Sequence, residues 1–314
     1  MAERVESQVL NSSLSMIQIA NAPCSWGVLE FDLQGEAAGC AQVLDEIRAT
    51  GYAGTELGDW GFMPTEPAKL AAELGKRELA LLGAFVPVRW AEPSMHAEAL
   101  EIAVKTASLM RDAGFADAFI VLADDNGTDR VRSAEAGRVL SEQGWTSAEW
   151  KAAGKAINHF AGQIREETGL RSAFHHHAGG YVETPREVQC LLDETDPDLV
   201  GLVLDTGHYA FGGGDALDVL KKVPDRIWHV HFKDFHAGIA ERGRVESWDY
   251  LRSVQEGVFC KLGAGQVDFR AFADELRDQN YDGWIVVEQD VLPGMGDPKA
   301  CAQHNRAYLK GLSL

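Results

Sequence analysis

The chain has 314 residues, 46% hydrophobic and 25% charged, with 32 glycines, the profile of an ordinary soluble globular protein that can bury a large core as one big domain or two average ones. Its net charge of −19 excludes the clustered Lys and Arg that phosphate backbones or anionic lipid require, so neither nucleic acid nor a membrane surface is an expected partner. No run of about 18 apolar residues suggests a membrane span, the start "MAERVESQVLNSSLS" lacks the apolar core of a secretory signal, and the 5 scattered cysteines without a CxxC pair imply free thiols in a reducing compartment.

The expectation is a cytoplasmic protein with a flexible N-terminal tail over residues 1–15. From residue 16 onward, short apolar runs rich in β-branched residues alternate with longer amphipathic runs, as repeated β–α units do. The predicted strands are "MIQIAN" (16–21), "GTELG" (54–58), "LALLGAFVPV" (79–88), "AFIVLAD" (118–124), "RSAFHHH" (171–177), "GLVLDTG" (201–207), "IWHVHFKD" (227–234) and "GWIVVEQD" (283–290). Between them, "HAEALEIAVKTASLMRDAG" carries Leu100, Val104, Ala107 and Met110 at helical spacing, and "WTSAEWKAAGKAINHFAGQIREETG" closes on Gly169 as a helix C-cap would. The segment "DDNGTDRVRSAEAGRVLSEQGWTS" is long for a βα loop and is expected to form an active-site flap. "SWDYLRSVQEGVF" (247–259) is expected to cap the barrel or to serve a subunit contact, and a homo-oligomer is compatible with it.

Eight such units can close into a barrel or stay open as a doubly wound sheet. Polar residues decide for the barrel: Glu56, Asp124, the histidines at 175–177, Asp205, His231 and Glu288 all fall toward the C-terminal ends of their strands, where a barrel gathers its catalytic groups. An open sheet would want a phosphate-binding glycine loop at one switch point, and "YAFGGGD" lacks that spacing. The predicted fold is a single (β/α)8 TIM barrel over residues 16–314.

Three strand ends offer chemistry. Asp205 ends an apolar strand with His208 three residues on; capping the next helix is its bland alternative. In "WHVHFKD", alternation sends His229 and His231 to one face, and "IVVEQD" ends on Glu288. Buried groups of this kind need a partner that outweighs desolvation. Mixed carboxylate and imidazole ligation without sulfur suits Mn²⁺, Co²⁺, Fe²⁺, Mg²⁺ or Zn²⁺ in an open coordination sphere. A fourth ligand is expected from strand five, where alternation puts His175 and His177 on one face and leaves His176 packed and hydrogen-bonded on the other.

Taken together, "NAPCSWGV", "GYAGTELGDWGFMP", "FHHHAGGYVET", "VLDTGHYAFGGGD", "HVHFKDF" and "GWIVVEQD" resemble the inosose dehydratase (2-keto-myo-inositol dehydratase) family of the xylose isomerase-like TIM barrels, from about residue 17 to the C-terminus. The resemblance implies metal ligation by Asp205, His231, Glu288 and His175, with His177 as the alternative on strand five. Ketose epimerases carry a glutamate at that position, so simple epimerase chemistry fits less well than a specialised dehydratase. The implied cofactor is Mn²⁺ or Co²⁺, with Mg²⁺, Fe²⁺ or Zn²⁺ as alternatives. The implied substrate is a small polyol or keto-sugar, dehydrated by removal of the proton alpha to the ketone and expulsion of the beta hydroxyl through a metal-stabilised enediolate. Candidates for proton traffic are His177, His208, His229, Glu56 and Lys233, the last of which could equally pair with Asp234. Trp26, Trp60, Phe85, His208 and Glu183 are candidate substrate contacts. The alternatives are a sugar isomerase or epimerase, or a 3-keto-sugar-processing enzyme, on the same barrel, and, from another class, a non-catalytic carbohydrate-binding barrel.

Overall fold

A computed structural model describes residues 17–27, 38–126, 129–292 and 295–314. The tail expected over residues 1–15 lies outside the described residues. The strands are β1 (Gln18–Asn21), β2 (Gly54–Thr55), β3 (Ala80–Leu81), β4 (Gly83–Val88), β5 (Phe119–Asp124), β6 (Arg171–His175), β7 (Val200–Asp205), β8 (Ile227–Phe232), β9 (Asp234–Phe235), β10 (Phe259–Cys260) and β11 (Trp284–Val287). All but β9 and β10 join one 9-stranded sheet in the order β3-β2-β1-β11-β8-β7-β6-β5-β4, every neighbouring pair parallel.

The two ends of that order, β3 and β4, are consecutive in the chain and separated by Leu82 alone. Leu82 donates its N–H to Thr55 and accepts from Phe119, so the two pieces make one stave and the sheet closes into a barrel of eight. Short β2 shows why closure works without long strands: its two residues pair on both sides, and Leu57 then bonds Gly83 across the mouth.

Helices α1 (Cys40–Ala49), α2 (Pro67–Gly75), α3 (His96–Asp112), α4 (Arg130–Ala134), α5 (Ser147–Thr168), α6 (Pro185–Glu194), α7 (Thr206–Phe211), α8 (Ala216–Lys222), α9 (Ala237–Glu246), α10 (Tyr250–Gln255), α11 (Phe269–Asp278) and α12 (Pro298–Gly311) fill the connections. The main core lies between staves and helices, where outward residues such as Leu202, Leu204, Val230, Phe232, Ile285 and Val287 meet helix residues such as Ile157, Phe160 and Leu276. Inward residues pack small clusters in the lumen, among them Phe119, Val121, Ala173 and Val203. Among the described residues no helix is long and apolar enough to cross a membrane.

Two excursions stand over the C-terminal mouth. After β8, the antiparallel pair β9–β10 and helices α9 and α10 build a separate apolar cluster around Phe211, Phe235, Tyr250, Val254 and Phe259. Asp234 anchors it: its buried carboxylate accepts from the backbone N–H groups of Phe235, Gly263, Gly265 and Val267 at 2.8–3.1 Å. The second excursion follows β5 and is fastened to the loop after β6. Arg132, on α4, donates both terminal nitrogens to Glu187 at 2.9 and 3.0 Å and its Nε to Gly180 O at 2.8 Å, with the guanidinium fully buried.

Removing one partner of a buried pair strands the other charge. Arg132→Ala is therefore expected to cost about 3–5 kcal/mol in urea unfolding. Pairing Arg132→Met with Glu187→Gln, which keeps an acceptor for the N-cap of α6 but no charge, is expected to recover most of it. Equal losses in the single and double variants would show that packing, not charge, fastens the excursion.

Candidate active site

Period-two alternation delivers the polar cluster. Along β7, Val203 and then Asp205 point inward; along β8, His229 and His231 do, and Lys233 continues the series; past β11, Glu288 follows Val286, and Asp290 comes next. Asp205 and His231 are register partners on adjacent staves. A single cavity of about 600 Å³, including its open mouth, is lined by Glu56, His175, His177, His231, Lys233 and Glu288 together with Cys24, Asp59, Phe85 and Asp290.

Asp205 divides its carboxylate between two tasks. Oδ1 accepts from His208 N at 2.7 Å as the N-cap of α7, so the bland reading of this residue holds for one oxygen. The other oxygen, Oδ2, is buried and has no hydrogen-bond partner among the described residues, and the same is true of His231 Nδ1. Leaving such atoms unpaired costs about 1–3 kcal/mol each. They lie 3.9 Å apart; His231 Nδ1 is 3.4 Å from Glu288 Oε1, and His175 Nε2 is 3.9 Å from Asp205 Oδ2. One ligand atom from each of His175, Asp205, His231 and Glu288 falls within 4.8 Å of all the others. Two imidazoles and two carboxylates that converge without satisfying one another fit a divalent cation with an oxygen- and nitrogen-rich sphere.

Electrostatics follow from burial. Desolvation pushes the Asp205 carboxyl up to about 6. It likewise holds His177 down at about 3, assisted by the Lys233 charge, and His208 well below the usual histidine range, assisted by His177. For Lys233, burial favours the neutral amine, but Asp290, Glu288 and Asp205 outweigh it and hold the ammonium well above its ordinary value. Its Nζ lies 3.1 Å from Glu288 Oε2, 3.3 Å from Asp290 Oδ1 and 3.1 Å from His208 Nε2. The side chain reaches this position because residue 207 is glycine: a Cβ there would sit 2.7 Å from Lys233 Cγ. Asp234 takes no part in this network, since the loop after β10 occupies it.

The three consecutive histidines separate cleanly. His175 ends β6 and joins the quartet of ligand atoms. His177, beyond the strand, lines the cavity, with Nδ1 2.7 Å from Asn126 Nδ2 and 2.9 Å from Ala178 O. His176 is fully buried on the other side, edge-on to Tyr209 at 5.3 Å, and its Nε2 accepts from Asp205 N at 3.2 Å. Losing that acceptor orphans a buried backbone N–H, so His176→Ala is expected to cost about 1–3 kcal/mol of stability. Turnover of the folded variant is expected to survive, whereas His177→Ala is expected to lose it; equal turnover losses at a temperature where both are folded would contradict this division.

Other residues singled out in the sequence lie elsewhere. Trp26 is buried in the core with its indole donating to Glu46. Trp60 is 41% exposed beneath the Lys105 ammonium, 4.3 Å from the ring centroid, and does not line the cavity. Glu183 is buried in the seam between the two loops, accepting from Gly137 N at 2.7 Å and Gly179 N at 2.6 Å. Burial outweighs those two donors and raises its carboxyl to about 7. His229 lies below the cavity wall, bonded to Glu56 at 2.8 Å. Residues not singled out do reach the site: Asn126, Asp290 and Cys24, and from the excursion after β8 Tyr250, edge-on to His177 at 5.4 Å, and Phe259, tilted over His208 at 4.8 Å.

Comparison with known proteins agrees with this architecture. The family model for xylose isomerase-like TIM barrels matches residues 44–312. The chain is 30% identical to the inosose dehydratase of Geobacillus kaustophilus (strain HTA426), over 96% of this chain and 97% of that protein. It is 33% identical to the inosose dehydratase of Lactiplantibacillus plantarum (strain ATCC BAA-793 / NCIMB 8826 / WCFS1), over 92% and 94%. Among solved structures the fold is shared with the IOLI protein with a binding zinc atom, at a TM-score of 0.68 and 15% identity over 94% and 98% of the two chains. It is also shared with a probable 3-DHS dehydratase from Bacillus anthracis, at a TM-score of 0.66 and 14% identity over 94% and 99%. A parallel barrel closed by eight staves, with its ionisable groups gathered at the C-terminal mouth, and relatives that align from end to end make this chain an enzyme of the xylose isomerase-like TIM barrels and a member of their inosose dehydratase family.

Proposed function

We propose that the protein is a metal-dependent carbon–oxygen lyase that removes water from a keto-inositol of the 2-keto-myo-inositol type. The observation that carries the reading is the buried quartet of His175, Asp205, His231 and Glu288, whose ligand atoms converge beside a cavity that also presents His177 and Lys233, with Asp205 Oδ2 and His231 Nδ1 left without a hydrogen-bond partner among the described residues. The inosose dehydratase relatives support the substrate class, and the zinc atom bound by a fold neighbour supports a bound divalent cation.

The quartet would hold a divalent cation, Mn²⁺ or Co²⁺ in this reading, which when bound supplies Lewis acidity toward a substrate oxygen. The protein's own residues move the protons. His177, kept neutral by burial and by Lys233, accepts the proton alpha to the ketone, and the C–H electron pair flows toward the ketone oxygen. When that pair returns, the carbon–oxygen bond at the beta position breaks, and Lys233, whose ammonium is held by Glu288 and Asp290, gives the departing hydroxyl a proton so that it leaves as water. His208, beside both groups, passes the proton that His177 accepted on to Lys233, so that His177 ends neutral and Lys233 ends as the ammonium. Phe259 and Tyr250 cover this trio and limit bulk water on that side.

The test is an assay of chelator-treated protein with a panel of keto-inositols and ketoses, with and without added Mn²⁺ or Co²⁺. An enone or diketone chromophore that appears only with a keto-inositol and only after metal addition is expected. Full turnover by the metal-free protein, or no turnover of any keto-inositol, would overturn the proposal.

A further inference from the structure

Glu56 and His229 sit directly beneath the quartet and neither supplies one of its four atoms. Glu56, just past the end of β2, is buried, and its Oε1 accepts from two imidazoles at once: His229 Nε2 at 2.8 Å and His231 Nε2 at 3.0 Å. Gly83 on β4 leaves room for that carboxylate, since a Cβ there would lie in tight contact at 3.1 Å from Glu56 Oε1. The opposite nitrogen of the His231 ring, Nδ1, faces Asp205 and Glu288 and has no hydrogen-bond partner among the described residues.

We infer that Glu56 is the positioning residue of the site: by holding a proton on Nε2 of His231, it fixes the ring so that the Nδ1 lone pair is presented to the cation site, while His229 steadies Glu56 from below. The physical ground is that an imidazole carries its donor where an acceptor waits, and the nitrogen left over is the one free to ligate. A carboxylate with one oxygen shared between two N–H donors is suited to holding a ring and poorly suited to shuttling a proton. This assigns Glu56 and His229 a different task from the proton traffic that their residue types suggested.

The inference rests on the reading of the quartet as a cation site, and two readouts separate the fate of each. First, in the metal-free, full-length protein, NMR of histidine side chains is expected to show a downfield, slowly exchanging N–H proton on His231 Nε2 that disappears in Glu56→Leu. Its absence from the wild type, or its persistence in Glu56→Leu, overturns the positioning role whether or not metal binds. Second, Co²⁺ titration is expected to give one equivalent bound by the wild type, with affinity about 10–100-fold weaker and altered visible absorption bands in Glu56→Leu. Glu56→Gln, which keeps an acceptor oxygen, is expected to recover most of the affinity and the original bands. Unchanged affinity and spectrum in Glu56→Leu overturn the inference. So does binding of two equivalents by the wild type, because Glu56, His229 and His231 also have ligand atoms within 4.8 Å of one another and would then be a second cation site.

Discussion

Replacing Asp205 with asparagine is expected to abolish both divalent-metal binding and turnover while leaving a folded barrel. The carboxamide keeps an oxygen for His208 N, so the N-cap of α7 survives. What changes is Oδ2, a buried acceptor with no hydrogen-bond partner among the described residues. Exchanging a buried, unpaired charged oxygen for a neutral group removes a desolvation cost, so the metal-free variant is expected to melt at or above the temperature of the metal-free wild type. The difference lies in the response to metal. A cation that binds only the folded state stabilises it by about 2.7 kcal/mol at a concentration one hundred times its Kd, and the wild type is expected to gain a corresponding rise in melting temperature with Mn²⁺ or Co²⁺. Asp205→Asn is expected to gain none. An undiminished metal-dependent rise in the variant would take Asp205 out of the ligand set.

Lys233→Met is expected to lower turnover by about 10²–10⁴-fold, the range that general acid–base catalysis supplies, with metal still bound. Methionine matches the length and apolar stem but leaves Asp290 and Glu288 without the ammonium they share. Rates must therefore be compared at a temperature where circular dichroism shows the variant folded. Lys233→Arg is not expected to rescue activity, since the guanidinium is larger and planar and the stem already passes against Gly207 with no room for a Cβ. A variant that keeps turnover within about tenfold of wild type, below the range that a general acid contributes, would make Lys233 a structural counter-ion only.

Much of the barrel is legible in the chain because its signals are local. Each stave is a short apolar run, and each inward polar residue falls at the strand end by counting in twos. The same counting that brings Glu288 inward also brings Asp290, so that residue was within reach of sequence reasoning. Length was the weaker signal: pairing ends at Thr55 on the second stave and at His175 on the fifth, because the backbone beyond turns over the mouth to form the loops that carry Glu56 and His177. The split at Leu82 and the β9–β10 ladder depend on partners distant in sequence and leave no periodic trace. The same holds for Asn126 against His177, 51 residues apart, and for the Arg132–Glu187 pair, 55 apart. Trp60 shows the converse. An aromatic at a strand end reads as a platform for a ring, but here the chain turns at Asp59 and sends the indole outward to Lys105.

The central claim, loss of one water from a keto-inositol, is tested most directly by mass spectrometry of the product after incubation of metal-loaded protein with 2-keto-myo-inositol. A product lighter than the substrate by one water is expected, formed by the wild type and not by Asp205→Asn. A product of unchanged mass but altered retention would indicate an isomerase or epimerase, and unaltered substrate recovered from a tight complex would indicate a binding protein; either result would contradict the account.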